Sequence, residues 1–302
     1  MPDAALANRL GGVFLPVTTP FDAVTGELAP VSFRDNLRRW TDAGVDGIVL
    51  FGSTGEGPLL DEDEKTRLTS WAREVVPAGV PLIVGSGMDS TRAAIRVTQT
   101  LARQGADAAL VHPPPYFGPA LSPAALLDHY RAVADASPVP IIVYHMPKCT
   151  KVILDAGLMG EITRHPNVVG FKDSSGDIKR FAEFTESCAS DCRMFVGSGA
   201  LFYTALELGA DGGILAIALI APAECLEVTR RFRAGDKQGA GGLQEKLTTI
   251  HREIVVPFGA VGVKTAMDRI GMVGGPPRPP LRPLGDKDAR QVARVVKDAG
   301  LA

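Results

Sequence analysis

Eight short apolar runs recur along the chain, at positions 13–21, 47–52, 81–85, 108–112, 140–145, 168–172, 193–197 and 212–218. Helix-like stretches separate them. Regular alternation of this kind indicates parallel βαβ units, because a strand can rejoin a parallel neighbour only through a long crossover that covers the sheet. Eight such units predict an α/β fold of one kind, a closed (β/α)8 TIM barrel. An open doubly wound sheet is the alternative, but no GxGxxG opens the first helix. With 302 residues, 45% of them hydrophobic, the chain has ample material for such a core.

One pattern precedes three of the runs: Gly44-Val45-Asp46-Gly47, Gly105-Ala106-Asp107-Ala108 and Gly209-Ala210-Asp211-Gly212. Each follows a helical stretch. Its glycine suits the left-handed position that ends a helix. These turns are expected at the barrel's N-terminal face, where they serve stability. A weaker echo, Val-Gly-Ser-Gly at 84–87 and 196–199, is either chance or a mark of crowded strand ends.

Past the eighth run, 221–234 and 239–254 read as helices. Gly274-Gly275-Pro276-Pro277-Arg278-Pro279-Pro280 cannot lie inside a helix. It reads as an extended strap before a last helix at 287–297, with an SH3-type ligand as the other reading of its prolines. The expected division is a catalytic barrel over 1–220 and a helical extension over 221–302, packed on the barrel as a cap or an oligomer contact.

The net charge is −2 and no basic block appears, which argues against a nucleic-acid partner. Cys149, Cys188, Cys192 and Cys225 form no CxxC. Cys188 and Cys192 are expected on one helix face as structural thiols rather than zinc ligands. His112, His129, His145, His165 and His251 form no HxH or HExxH pattern, so no metal is expected. The N-terminus has no basic-then-apolar signal pattern, and the longest apolar run, 212–223, is too short to span a bilayer. The expectation is a cytoplasmic protein with no membrane partner.

Lys172 is the one cation in the run Val168-Val169-Gly170-Phe171-Lys172. An unpaired buried ammonium is costly, so burial would lower its pKa and free the amine to attack a carbonyl. If Lys172 points into the barrel, alternation predicts that Gly170 and Val168 do too, with Gly170 leaving space beside the amine. The plainer reading is an exposed lysine at a strand end. Tyr144 ends the preceding run and can move protons if a hydrogen-bond relay supports it; alone it is a core tyrosine. Gly52-Ser53-Thr54-Gly55-Glu56 follows the second run. Its glycines permit a sharp turn whose amides and hydroxyls suit a carboxylate. The plainer reading is a loop before a helix, for which Asp61 and Glu64 offer a capping box.

Taken together, Gly52–Glu56, Tyr144-His145-Met146-Pro147 and Gly170-Phe171-Lys172-Asp173-Ser174-Ser175-Gly176-Asp177 resemble the dihydrodipicolinate synthase/N-acetylneuraminate lyase family of class I aldolases over nearly the whole chain. The resemblance implies a (β/α)8 barrel with C-terminal helices, assembled as a homotetramer of two tight dimers, and no cofactor. It implies that Lys172 forms a Schiff base with pyruvate or a 2-oxo acid, that Tyr144 and Ser53 relay protons, and that Thr54 and the 53–54 backbone amides hold the pyruvyl carboxylate, with Gly52, Gly55 and Tyr116 also among the substrate-binding residues. The Ile214 backbone carbonyl would line the site.

Within the family the chain is most similar to 4-hydroxy-2-oxoglutarate aldolases, through His165-Pro166-Asn167-Val168-Val169-Gly170, Leu126-Leu127-Asp128-His129-Tyr130 and Met267-Asp268-Arg269 leading to Gly274-Gly275-Pro276. Two departures stand out. Synthases of the family carry an arginine five residues after the strand tyrosine, where this chain has Cys149, flanked by Lys148 and, two residues on, Lys151. The family's second tyrosine after the fourth strand, which reaches a neighbouring subunit's site, falls on Phe117, or on Tyr116 if the register shifts. Three functions follow: an aldolase for a short 4-hydroxy-2-oxo acid, a synthase or dehydratase on the same scaffold, or a non-catalytic barrel that binds oxo acids. An intact Lys172, Tyr144 and Ser53 weigh against the last.

Overall fold

Every apolar run contains a strand. The computed structural model of the chain describes residues 4–302, with β1 (Gly12–Pro16), β2 (Gly47–Leu50), β3 (Leu82–Gly85), β4 (Ala108–Val111), β5 (Ile141–His145), β6 (Val168–Asp173), β7 (Arg193–Val196) and β8 (Gly212–Ile214). They pair in sequence order, all parallel, and β8 returns to β1, closing the (β/α)8 barrel that the spacing predicts. β1, β2 and β8 are shorter than their apolar runs. The surplus apolar residues, among them Val17, Phe51 and Ile217, are buried in the loops at the barrel's C-terminal mouth. Their hydrophobicity reports burial there, not strand pairing.

Alternation splits the strand side chains into two layers. Phe14, Val49, Ile83, Leu110, Ile142, Tyr144, Phe195 and Ile214 fill the interior. Val13, Leu15, Ile48, Val84, Val143 and Phe171 face the helices. Phe14 meets Phe195 edge to face at 5.2 Å, and a Cβ on Gly47 would lie 2.0 Å from the Phe14 ring, so only glycine fits there. Leu6 and Leu10 join the interior layer from the end where the strands begin.

The three Gly-x-Asp turns have φ of 82°, 98° and 93° at Gly44, Gly105 and Gly209, the left-handed helix ending that the pattern predicts. Their aspartates do something the pattern alone did not reveal. Asp46, Asp107 and Asp211 accept the backbone N–H of Val13, Leu82 and Met194 at 2.7, 2.8 and 2.8 Å. Each turn thus ends a helix and clips the start of the neighbouring strand. Cys188 and Cys192 do not share a helix face, because the helix Ile178–Ser187 stops just before them.

One strand departs from simple alternation. Ile141 pairs with Val168, but Ile142 pairs with Gly170, so Val169 is the extra residue of a bulge. Val168 therefore faces the helices and Val169 the interior, against the expectation that Val168 shares the face of Lys172. Gly170 does not make room for the amine either. A Cβ there would sit 2.3 Å from the Arg193 carbonyl oxygen, a strand-packing constraint.

The C-terminal part comprises the helices Pro222–Arg233, Lys237–Ile250, Val256–Arg269 and Asp286–Asp298. A π-helical turn, His251–Val255, interrupts the predicted 239–254 helix, and Gly259 (φ 52°, ψ −135°) breaks the next one. The proline-rich strap is extended and packed. Lys264 donates to Glu56 at 2.5 Å and to the Pro276 carbonyl at 2.8 Å, and the Arg278 N–H donates to Glu56 at 2.8 Å. The Arg278 guanidinium forks onto Glu64 at 2.6 and 2.7 Å, and the Asp61–Glu64 capping box forms.

Glu56 and Lys264 have side chains 0% and 1% exposed, so neither can be left alone without cost. Replacing Lys264 by alanine is expected to lower stability by about 3–5 kcal/mol, the range for one orphaned buried charge. The Glu56→Gln/Lys264→Met double variant is expected to lose less. Unfolding midpoints in urea decide it; a Lys264→Ala loss under ~1 kcal/mol refutes the coupling.

Candidate active site

β5 and β6 place their last residues in register, Tyr144 opposite Lys172 and His145 opposite Asp173. The pleat turns the first pair inward and the second outward. Outside, His145 Nδ1 and Asp173 Oδ1 lie 2.6 Å apart, and Asp173 also accepts the Ser175 hydroxyl at 2.7 Å. The His145 ring packs edge to face on Phe184 at 5.3 Å. This buried dyad pins the two strand ends together directly behind the inward pair. Both residues belong to motifs recognised in the sequence, yet nothing there shows that they face each other, since that requires the strand register.

Inside, Lys172 is 4% exposed. Its Nζ lies 4.3 Å from the centroid of the Tyr144 ring, and among the described residues no carboxylate pairs with it. The glycine that makes room for it is Gly197, at the end of β7. A Cβ there would fall 3.1 Å from Lys172 Cε and 1.9 Å from Ser174 Oγ. Of the Val-Gly-Ser-Gly echo, the crowded-end reading holds. Gly87 likewise abuts His112, and a Cβ on Gly85 would lie 2.5 Å from the Phe51 carbonyl oxygen.

The Ser53 turn is built on strain. Phe51 has φ 60°, a left-handed conformation that a bulky residue adopts only when its surroundings impose it. Gly57 and Gly85 admit the displaced Phe51 carbonyl, since a Cβ at Gly57 would lie 2.1 Å from it. A 3-10 turn, Ser53–Gly55, follows; the amides of its first residues have no acceptor within the turn. Ser53 Oγ lies 3.5 Å from the Tyr144 hydroxyl and 3.9 Å from Cys149 Sγ.

A cavity of 460 Å³ at the barrel mouth brings Ser53, Thr54, Tyr144, Cys149, Lys172 and Ile214 together. Lys148 also lines it, Lys151 does not, and among the described residues no aspartate or glutamate lines it. Lys151 instead donates to the Lys148 carbonyl at 2.9 Å. A second cavity of 210 Å³ lies beyond Ser53 and Tyr144 and contains Gly52, Lys65 and His112. Gly55 lines neither cavity; its carbonyl accepts the Thr19 hydroxyl at 2.8 Å and its Cα packs on the Val17 carbonyl. Tyr116 is likewise outside. It is 78% exposed and pairs edge to face with Phe117, itself 67% exposed. Among the described residues no His, Cys, Asp and Glu side chains gather into a metal-binding group, and no helix is long and apolar enough to cross a membrane.

The closed barrel thus carries a buried amine and a phenol side by side at its C-terminal mouth. The chain belongs to the dihydrodipicolinate synthetase family, whose sequence model matches residues 9–299. It is 33% identical over 288 residues to the 4-hydroxy-tetrahydrodipicolinate synthase of Ruegeria pomeroyi, covering 94% of this chain and 97% of that one. Its structure is similar to the dihydrodipicolinate synthase of Acinetobacter baumannii solved with pyruvate, with TM-score 0.92, 30% identity and coverage of 97% and 100%. A dihydrodipicolinate synthase described as the first monomeric variant superposes with TM-score 0.93 at 27% identity, covering 98% and 99%. The chain is therefore a lyase of the Schiff-base-forming pyruvate aldolase and synthase type.

Proposed function

We propose that the chain is a class I pyruvate-dependent aldolase acting on a 4-hydroxy-2-oxo acid such as 4-hydroxy-2-oxoglutarate. The observation that supports it is the cavity itself: among the described residues two lysines and no acidic side chain line it, and Cys149 rather than an arginine stands beside Ser53. Lys172 adds to the C2 ketone and loss of water gives a protonated imine. In cleavage the 4-hydroxyl proton passes to Tyr144 as the C3–C4 bond breaks, its electrons moving into the imine. The aldehyde leaves. Protonation of the enamine and hydrolysis release pyruvate and the free amine. Ser53 passes the proton on, and Thr54 with the 53–54 amides holds the pyruvyl carboxylate. Exposed Tyr116 and Phe117 offer an apolar contact for a second copy in an oligomer.

The names of the relatives favour a second reading, 4-hydroxy-tetrahydrodipicolinate synthase, in which the acceptor is aspartate semialdehyde. The two differ in the acceptor, so competition between aldehydes tests them. Without the arginine, aspartate semialdehyde lacks one charge-assisted contact, about 2 kcal/mol or ~30-fold in kcat/KM. Glyoxylate is expected to be preferred, and Cys149→Arg to shift preference toward aspartate semialdehyde. If the unmodified enzyme already condenses aspartate semialdehyde more efficiently, the synthase reading stands.

A further inference from the structure

The Lys172 cavity has a second polar wall that the chemistry above does not use. Ser198 follows β7, next to the strand of Lys172, and three strands round the barrel from the Thr54 turn after β2. Its Oγ lies 3.3 Å from His251 Nε2. His251 opens the π-helical turn, a distortion frequent at functional sites. The turn is docked, not loose. Gln244, 8% exposed, donates to the Gly199 carbonyl at 2.8 Å and accepts the Tyr203 N–H at 2.9 Å. That clamp fixes the helix before His251 against the turn that carries Ser198.

We propose that Ser198, His251 and Lys148 form the subsite for a carboxylate on the substrate's tail, remote from the carbonyl that Lys172 attacks. The inference deepens the aldolase reading and rests on it. Counting protons gives the chemistry. Burial, with Lys148 and then Arg252 adding to it, pushes the His251 pKa down to about 4, so the ring is neutral at pH 7. If Ser198 donates to Nε2, the ring proton sits on Nδ1 and is free to be donated. If Nε2–H donates to Ser198, the serine hydroxyl proton is free instead. Either tautomer leaves one donor for a ligand, and Lys148 supplies the charge. Among the described residues no acid lines the cavity, so an anionic tail meets no carboxylate there. Val255, Val256 and Phe258 line the same cavity as apolar wall, suited to the methylene carbons between two carboxylates.

The test uses two five-carbon 2-oxo acids that differ only at the tail: 2-oxoglutarate and 2-oxopentanoate. Each is incubated with the intact enzyme at pH 7, reduced with borohydride, and the concentration giving half-maximal adduct on Lys172 is measured. 2-Oxoglutarate is expected to half-saturate at least tenfold lower. That ratio is expected to fall about tenfold in Ser198→Ala and in His251→Phe, the loss of one charge-assisted hydrogen bond, and to recover in part in His251→Gln. Equal half-saturation in the unmodified enzyme, or a ratio moved less than twofold by both substitutions, overturns the subsite. Absence of any pyruvate adduct on Lys172 is a different failure: it removes the aldolase reading, and the subsite with it.

Discussion

Incubation with pyruvate followed by borohydride is expected to leave one three-carbon adduct, on Lys172, and to abolish turnover. The site gives the reason. Among the described residues no carboxylate pairs with the Lys172 amine, and the pocket beside it is open to a ligand. Other lysines are built differently. Lys264 is fixed between Glu56 and the Pro276 carbonyl, and Lys151 donates to a backbone carbonyl. Lys172→Arg should be as inactive as Lys172→Ala, because a guanidinium stays protonated and cannot form the imine. Peptide mapping by mass spectrometry decides the assignment. An adduct on Lys148 would move the nucleophile along the same cavity, and one on Lys65 would move it into the neighbouring cavity. Either result rejects the mechanism.

What the sequence could and could not reveal follows from the range of each interaction. The barrel was legible because strand spacing and helix-ending glycines are local signals, and all eight strands were found. Lys172 and Tyr144 were legible because each is a polar residue inside an apolar strand. The face of Val168 was misread because a bulge adds one residue, and no local pattern marks it. The assignment of space to Gly170 failed for a related reason. The space beside a side chain belongs to the neighbouring strand, here Gly197, which only the closed sheet brings near.

Glu56 shows the same limit from another side. It closes the Gly52–Glu56 motif, yet its carboxylate turns away from the cavity to anchor Lys264 and Arg278, more than two hundred positions away. The motif therefore serves two purposes. Ser53 and Thr54 face the cavity, while Gly55 and Glu56 bind the turn to the mouth loops and the C-terminal strap. Substitutions in its second half should act through stability first and through catalysis only by loosening the turn.

Tyr144→Phe is expected to slow turnover by ~10²–10⁴-fold, the usual contribution of a positioned proton-transfer group. Imine formation should survive. The ring that lies 4.3 Å from Lys172 Nζ is retained, so the amine keeps its packing and loses only a hydroxyl. Pyruvate trapping on Lys172 should then half-saturate within a few-fold of the unmodified enzyme while product formation collapses. The hydroxyl's partner is Ser53, at 3.5 Å, a long contact of the kind that tightens when substrate is bound. If both groups act in one relay, Ser53→Ala should slow turnover alone but add little to Tyr144→Phe, because residues acting as a unit are not additive. Independent, multiplying losses would mean that Ser53 serves the carboxylate and not the proton. A Tyr144→Phe loss below about threefold, far under the range for such groups, would assign the proton transfer to another residue, with Ser174, which lines the same cavity as Lys172, the next to substitute.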